Sequence, residues 1–318
     1  MRLLFYIFLC FYLSGCQSFI ANQIIKPIEP LKVTGLDSEN SITGVVTQHC
    51  SDKINCLTFR FFSTNDLSFK DYPTHRFSLV IGNSNGDDIT FSETISLLNQ
   101  HVKLTNELLV IFPGYGIDNL IYGMQARWLS HITGKDTIVM PAANQYEEFK
   151  FGLNHLEQLN DYIQQNKYQK VSLLSYSMGS VAAMNFSKMA LIDKNIMVAP
   201  MIDFSQALSS TAHLFEPTLS KFFSESEFNG AAQDIVKQSG LTELQLNVKE
   251  LINTQYSTLT DTVIYTSEQD SISPTSYWQD SERKKVTLVS YPNQSHMVLV
   301  ALAEQALRTE ISHRLLTN

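Results

Sequence analysis

The stretch that most constrains the fold is residues 171–181, which have the sequence VSLLSYSMGSV. An apolar, strand-like run ends at Ser177, and a helix-like pattern follows at once. This pattern is typical of a strand–turn–helix junction so tight that the serine takes a strained backbone and its hydroxyl projects from the sheet. Small residues are needed two positions before and after the serine, and Ser175 and Gly179 occupy them, although glycine is commoner at the first. An ordinary Ser/Gly turn is the alternative interpretation.

The composition of the chain allows one large α/β core or two small domains. It has 318 residues, of which 44% are hydrophobic and 17% charged. The net charge is −8 and there is no basic run, so we expect no nucleic-acid partner. The sequence contains no HExxH, CxxC or paired-carboxylate pattern and no glycine-rich phosphate loop. We therefore expect neither a metal nor another cofactor.

The N-terminus has the pattern of a targeting segment. Arg2 precedes an apolar stretch, residues 3–13, that is too short to span a bilayer and is followed by Ser-Gly-Cys16. This arrangement resembles a bacterial lipobox. The resemblance implies that residues 1–15 are a signal peptide and that Cys16 carries lipid, which would attach the protein to a membrane. The alternative is a plain secretory signal with an unrelated cysteine.

The residues after Cys16 bear on location. No aspartate follows the cysteine at the position linked to inner-membrane retention, so the resemblance implies an outer-membrane lipoprotein of the cell envelope that faces the periplasm. Residues 16–40 are predicted to be a tether, because Pro27 and Pro30 oppose regular structure.

The remaining cysteines agree with export. Cys10 lies within the signal peptide, which leaves Cys50 and Cys56 as a pair separated by a polar turn. In an oxidising compartment such a pair can close a hairpin, so we expect a disulfide. Two reduced cysteines in a β-rich segment are the alternative.

Alternating strands and helices are predicted from residue 107 onward, after a β-rich segment at 42–106. The pattern predicts an α/β fold with a mainly parallel central sheet and helices on both faces. Residues 42–106 are either leading strands of the same domain, which we favour, or a separate small β unit. The predicted helices include 147–166 and 298–316, and the predicted strands include 108–112, 171–175, 195–199, 262–266 and 286–289.

One interval is too long for a simple crossover. Nearly sixty residues separate Asp203 from Asp261, where a crossover needs about 12 to 25. The surplus is helix-prone and carries several large apolar side chains, so we predict a helical cap at about 204–260 that lines a pocket at the carboxyl edge of the sheet. Extra surface helices are the alternative.

The positions of an acid and a histidine support a catalytic role for the serine. An alkyl hydroxyl is a poor nucleophile at neutral pH, so it needs a base, and the base needs an orienting carboxylate. In one common arrangement these follow the serine in the order acid, histidine, each after a late strand. Asp270 follows the strand at 262–266, and His296 follows the strand at 286–289.

From about residue 107 to 318 the chain resembles an α/β-hydrolase, particularly the capped esterase, lysophospholipase and serine-aminopeptidase-like branches. The resemblance implies that Ser177 is the nucleophile, His296 the general base and Asp270 the residue that orients the imidazole. Asp203 is an alternative acid, since some hydrolases of this fold place theirs at the end of the preceding strand.

The resemblance also implies an oxyanion hole. Its donors would be the backbone N–H groups of Met178, after the nucleophile, and Tyr115, in the loop after strand 108–112. The family often has His-Gly in this loop, and Pro113 stands here in place of the histidine. A plain Pro-Gly-Tyr-Gly turn is the alternative.

These expectations define a function for a hydrolase domain at 41–318. We expect a lipid-anchored, cofactor-independent serine hydrolase that cleaves carboxylic esters of small molecules or lipids through an acyl-enzyme. Amide or thioester hydrolysis by the same residues is one alternative. A non-catalytic binding lipoprotein of the cell envelope is another.

Overall fold

A computed structural model of the protein describes residues 17–25, 44–52, 55–63, 74–82, 88–96, 106–117, 119–215, 219–255, 259–283 and 285–317. The expected signal peptide and the expected lipidation site, Cys16, lie outside the described residues. Within these ranges, no helix combines the length and the apolar character needed to cross a bilayer.

The secondary structure alternates after a β-rich start. The strands are β1 (Val45–Cys50), β2 (Cys56–Phe62), β3 (Thr74–Gly82), β4 (Asp88–Ser96), β5 (Glu107–Phe112), β6 (Asp136–Val139), β7 (Lys170–Tyr176), β8 (Lys194–Val198), β9 (Asp261–Thr266) and β10 (Val286–Ser290). The helices are α1 (17–25), α2 (Asn119–Thr133), α3 (Leu156–Gln165), α4 (Gly179–Phe186), α5 (Phe204–Phe215), α6 (Leu219–Phe222), α7 (Glu225–Ser239), α8 (Glu243–Leu246), α9 (Val248–Thr254), α10 (Thr275–Trp278), α11 (His296–Val300) and α12 (Gln305–Leu316).

The central sheet has eight strands in the order β1-β2-β6-β5-β7-β8-β9-β10. From β6 to β10 every neighbouring pair is parallel, whereas β1 and β2 join at one edge in antiparallel fashion. The middle strands are continuous apolar runs, as expected for strands that are buried on both faces. Helices α2 and α12 pack on one face, and α3 and α4 pack on the other. The predicted mainly parallel sheet with helices on both faces is confirmed.

The segment before residue 107 contributes to two sheets. Strands β1 and β2 extend the central sheet through pairing of β2 with β6. Strands β3 and β4 form a separate hairpin that packs on α2, where Phe91 meets the ring of Trp128 edge-on. The disulfide predicted between Cys50 and Cys56 is present and closes the β1–β2 turn.

Two predicted helices differ from the structure. The helix predicted at 147–166 begins only at Leu156, because the residues before it turn sharply: the backbone φ of Phe151 is 53° and that of His155 is 62°. These turns direct Phe149 and Phe151 into an aromatic cluster, so the apolar spacing there reflects burial without helical structure. The helix predicted at 298–316 is divided into α11 and α12 by Leu302, whose φ is 51°.

Helix α1 lies within the segment predicted to be a tether. Residues 17–25 are helical, and Ile20 and Ala21 are fully buried against the helices that follow β8. The tether at 16–40 was predicted from Pro27 and Pro30, and both of these residues lie outside the described residues. A packed helix therefore stands where the sequence suggested an irregular linker.

Candidate active site

Ser177 occupies the tight junction between β7 and α4. Its φ is 47°, a left-handed conformation that L-residues with a side chain rarely adopt, and this turns its hydroxyl out of the sheet. Gly179 is required because a Cβ there would lie 2.3 Å from the Phe112 carbonyl oxygen and 2.5 Å from that of Pro113. Ser175 is fully buried, and its hydroxyl is 3.1 Å from that of Ser180. The small residues flanking Ser177 thus permit the chain to fold back on itself.

A continuous chain of hydrogen bonds joins the serine, the histidine and the carboxylate. His296 Nε2 is 3.0 Å from Ser177 Oγ, and His296 Nδ1 is 2.8 Å from Asp270 Oδ2. With the carboxylate as acceptor, the proton of a neutral imidazole lies on Nδ1, which leaves Nε2 free to accept the serine proton. Both His296 and Asp270 are buried.

The second carboxylate oxygen of Asp270 is also held. Asp270 Oδ1 accepts hydrogen bonds from the backbone N–H groups of Ile272, at 2.8 Å, and Ser273, at 2.9 Å. These two hydrogen bonds fix the orientation of the carboxylate toward the imidazole. The loop after β9 therefore presents an acid whose position is determined by the backbone.

The loops that carry the acid and the base are tied together by Ser267. Its hydroxyl oxygen accepts the N–H groups of Gln269, in the Asp270 loop, and of Gln294, in the loop that precedes His296. His296 itself begins α11, where the side chain of Ser295 caps the helix. The adjacent parallel strands β9 and β10 thus deliver both residues to the carboxyl edge of the sheet that carries Ser177.

Asp203, the alternative acid, has a different role. It is exposed, and its Oδ1 accepts the backbone N–H groups of Ser205, at 2.9 Å, and Gln206, at 3.2 Å. These bonds satisfy donors that the first turn of α5 would otherwise leave without partners. The carboxylate that contacts the histidine is therefore that of Asp270.

The loop after β5 lies beside Ser177. A Cβ at Gly114 would be 3.4 Å from the Ser177 Cβ. The Gly114 N–H donates to Tyr122 Oη at 3.0 Å, and the Gly116 N–H donates to Asn144 Oδ1 at 3.3 Å. Between these two, the Tyr115 N–H has no acceptor in the described part of the chain, and the same holds for the Met178 N–H. The two predicted oxyanion donors are thus the ones that local structure leaves available.

The side chain of Tyr115 leaves the loop in another direction. Its hydroxyl donates a hydrogen bond of 2.6 Å to the carbonyl oxygen of Ile24 in α1, and its ring packs edge-on against Phe149. Burial raises the pKa of this hydroxyl above its usual range, so it remains a donor. The loop beside Ser177 is therefore connected to the N-terminal helix.

A cavity of about 670 Å³ opens over Ser177 and His296. This volume lies within the range of about 300 to 1,000 Å³ that is typical of small-molecule sites. Its described walls are mostly apolar and come from the loop after β5, from α1 and from the helices after β8. The apolar lining residues include Phe19, Ile20, Ile24, Met178, Met201, Phe204, Ala207, Leu208, Phe228, Ile272 and Met297.

Sequence analysis missed several residues that shape this site. Tyr122 and Asn144 hold the loop after β5, Ser267 joins the loops that carry Asp270 and His296, and α1 supplies part of the cavity wall. Their contacts join parts of the chain that are distant in sequence, so no local pattern identifies them. Over the described ranges, no cluster of His, Cys, Asp and Glu has the arrangement of a metal site.

Comparison with known proteins identifies the fold. No family model matches the sequence, and no curated protein matches it. Among solved structures, an esterase from Pyrococcus furiosus is similar over 77% of this chain and 92% of its own, with 12% identity and a TM-score of 0.50. Carboxyl esterase 2 from the mycorrhizal fungus Tuber melanosporum is similar over 80% of this chain and 88% of its own, with 11% identity and a TM-score of 0.50. At this level of identity the similarity establishes the α/β-hydrolase fold.

Proposed function

We propose that the protein is a serine hydrolase that cleaves carboxylic esters through an acyl-enzyme. The observation that carries the proposal is the hydrogen-bonded series Ser177–His296–Asp270 at the base of an apolar cavity. The two solved structures compared above are esterases, which agrees with this choice.

The geometry supports a sequence of two acyl transfers. Ser177 Oγ attacks the ester carbonyl carbon while His296 Nε2 removes the hydroxyl proton, and Asp270 stabilises the resulting imidazolium. The imidazolium then protonates the departing alkoxide, so that an alcohol leaves and the acyl group stays on Ser177. In the second transfer His296 activates a water molecule, which releases a carboxylic acid and regenerates the serine.

The developing oxyanion would be bound by two backbone donors. The N–H groups of Tyr115 and Met178 flank Ser177 and have no acceptor in the described residues. Preorganised donors at this position stabilise charge that exists only in the transition state, and each contributes about 3 to 4 kcal/mol. Their availability supports acyl transfer over simple ligand binding.

The walls of the cavity favour esters with apolar acyl groups. The described residues that line it include no Asp, Glu, Lys or Arg. A peptidase that selects a charged terminus, or a thioesterase that selects a phosphorylated carrier, would need charged partners near the serine. Amide and thioester hydrolysis therefore remain secondary candidates.

We further propose that residues 1–15 are a signal peptide and that lipidated Cys16 anchors the enzyme in the outer membrane, facing the periplasm. The Leu-Ser-Gly-Cys sequence motivates this proposal, and the Cys50–Cys56 disulfide agrees with an oxidising compartment. In cells given radiolabelled palmitate, the wild type should be labelled and Cys16→Ser should not. Cys10→Ser is the matched control and should be labelled; equal labelling of Cys16→Ser would contradict anchoring.

The catalytic proposal is tested by covalent labelling. A fluorophosphonate probe should modify the wild type and Ser226→Ala, whose serine is exposed on α7, but not Ser177→Ala. The same variants should be assayed with p-nitrophenyl esters, acyl-CoA and aminoacyl anilides to separate the three acyl substrates. Equal labelling of wild type and Ser177→Ala would refute the proposal, and absence of labelling in the wild type would favour the non-catalytic alternative.

A further inference from the structure

Helix α1 forms part of the wall of the cavity that holds Ser177 and His296. The side chains of α1 that line the cavity are those of Phe19, Ile20, Gln23 and Ile24. Ile20 is 3% exposed, whereas Phe19 is half exposed, so the helix has one inner residue and one at the rim. A segment near the beginning of the chain thus shares a pocket with residues of its last third.

Three contacts fix α1 in this position. At its C-terminal end, the Ile24 carbonyl accepts the hydroxyl of Tyr115, which belongs to the loop beside Ser177. At its N-terminal end, the Gln17 side chain lies against Gly230 of α7, so closely that a Cβ on that glycine would be 2.4 Å from the amide. Between them, the ring of Phe19 lies 6.3 Å from that of Phe223. Helix α1 is therefore packed on both the loop beside Ser177 and the segment after β8.

The neighbouring part of the cavity wall has the same chemical character. Helix α5 contributes Phe204 and Leu208, and α7 contributes Phe228, all of which are buried. A channel with apolar side chains on both sides gains free energy from a hydrocarbon chain at about 25 cal/mol per Å² of buried surface. A polar or charged acyl group would gain no comparable free energy from contact with these apolar side chains.

We propose that α1 is one wall of an acyl-chain pocket, and that Ile20 and Phe19 determine how long an acyl chain the enzyme accepts. This inference rests on the proposed ester hydrolysis and specifies its substrate class, esters of medium- and long-chain fatty acids. The hydrocarbon chain contacts α1 as well as the cavity-lining side chains of α5 and α7, with the ester carbonyl at Ser177. Gln17, the first described residue of α1, follows in the sequence the residue proposed as the membrane anchor, Cys16.

The test compares chain-length preference in variants of α1. Ile20→Trp should fill the inner part of the pocket and lower the ratio of kcat/KM for p-nitrophenyl decanoate over p-nitrophenyl acetate by roughly tenfold or more. Asn22→Trp is the matched control, since Asn22 is exposed on the same helix and does not line the cavity. An unchanged ratio in folded Ile20→Trp would overturn the proposal.

A second substitution covers the case in which Ile20→Trp does not fold. Phe19→Ala removes a half-exposed ring, so folding should tolerate it, and it shortens the apolar wall at the rim. We expect the same ratio to fall severalfold, with Asn22→Ala as its control. If Phe19→Ala and Asn22→Ala give the same ratio as the wild type, α1 does not determine acyl length.

A binding measurement separates this inference from the proposed reaction. Dansyl-undecanoic acid should bind to full-length Ser177→Ala, and Ile20→Trp in that background should raise its Kd at least tenfold, whereas Asn22→Trp should not. If this pattern appears in a protein whose wild type hydrolyses no ester, the pocket is supported and the reaction is refuted. If esters are hydrolysed but Ile20→Trp and Asn22→Trp bind the probe equally, the pocket inference fails and the reaction stands.

Discussion

The hydroxyl of Tyr122 accepts a hydrogen bond from the backbone N–H of Gly114 at 3.0 Å, in a fully buried position on α2. This bond holds the peptide plane between Pro113 and Gly114, and the bond from the Gly116 N–H to Asn144 Oδ1 holds the plane between Tyr115 and Gly116. The Tyr115 N–H belongs to the peptide between these two and has no intramolecular acceptor in the described residues. A helix that carries no catalytic group thus orients a candidate oxyanion donor.

We expect Tyr122→Phe to lower kcat by about tenfold to a hundredfold with a small change in KM, since the orientation matters only in the transition state. It also leaves a buried N–H without a partner, which costs about 1 to 3 kcal/mol of stability. Tyr176→Phe is the control: Tyr176 is a buried neighbour whose hydroxyl has no partner among the described residues. Equal kinetics for the two variants would contradict this role for Tyr122.

The close approach of α4 to the end of β5 predicts that Gly179 cannot be replaced. In Gly179→Ala the new Cβ would meet two backbone carbonyls, which cannot move without displacing the loop beside Ser177. We expect a loss of about 1 to 3 kcal/mol in unfolding free energy, measured with urea, and loss of most esterase activity. Gly123→Ala in the middle of α2 is the control and should gain up to about 1 kcal/mol, because its Cβ would meet only ordinary contacts.

The serine and its partners could be predicted from sequence because each belongs to a local pattern. Ser177 ends an apolar strand and is flanked by small residues, while Asp270 and His296 each follow a strand in the expected order. Sequence favoured Asp270 and left Asp203 as the alternative, since both follow strands of the same sheet. The choice depends on a loop that turns one carboxylate inward and leaves the other at the start of a helix.

The failures of prediction have a common physical origin. Residues 147–155 have apolar spacing that suits a helix, yet tertiary packing of Phe149 and Phe151 determines their backbone. Helix α1 was not predicted because its apolar face is short. This face is buried only by packing against the helices after β8. In both segments the decisive contacts are with residues far away in sequence, which periodicity does not report.

The different surroundings of Asp270 and Asp203 predict that replacement by asparagine lowers kcat at one position and leaves it unchanged at the other. Asp270→Asn replaces the acceptor of the His296 Nδ1–H by an amide that favours the other tautomer, so kcat should fall by roughly 10⁴-fold. Asp203→Asn should retain activity and stability, because asparagine caps a helix as well as aspartate does. Steady-state kinetics on both variants test this. Similar losses in the two would contradict the assignment of Asp270.

The disulfide predicts an effect on stability that is separate from activity. Cys50 and Cys56 close a short hairpin at the edge of the sheet, on strands that carry no catalytic residue. For so small a loop, chain-entropy arguments give a stabilisation of about 2 kcal/mol. We expect the double variant Cys50→Ser/Cys56→Ser to unfold at lower urea concentration than the wild type and to keep its kcat. A fall in kcat at temperatures where the variant is folded would show that this edge reaches the site.

The hydrogen bonds at the start of α7 predict that the stability of this helix falls in acid. The backbone N–H of Ser224 donates to Glu227 Oε2 at 2.6 Å, and the Ser224 hydroxyl donates to the same oxygen at 2.8 Å. These bonds, the backbone one first, hold the pKa of Glu227 below its ordinary value of 4.5. A carboxylate with a depressed folded-state pKa contributes stability above its unfolded pKa and loses it as the pH falls through the folded value. Stabilisation by Glu227 should therefore be complete near pH 6 and decline below about pH 4.5.

Glu227→Gln tests this pH dependence, because glutamine can accept the same hydrogen bonds but does not titrate. Glu227 is partly exposed to solvent, so the difference in unfolding free energy between wild type and variant should be under about 1 kcal/mol near pH 6. That difference should approach zero as the pH is lowered below the folded-state pKa. A wild-type advantage that persists unchanged at pH 3 would show that the carboxylate does not stabilise this helix.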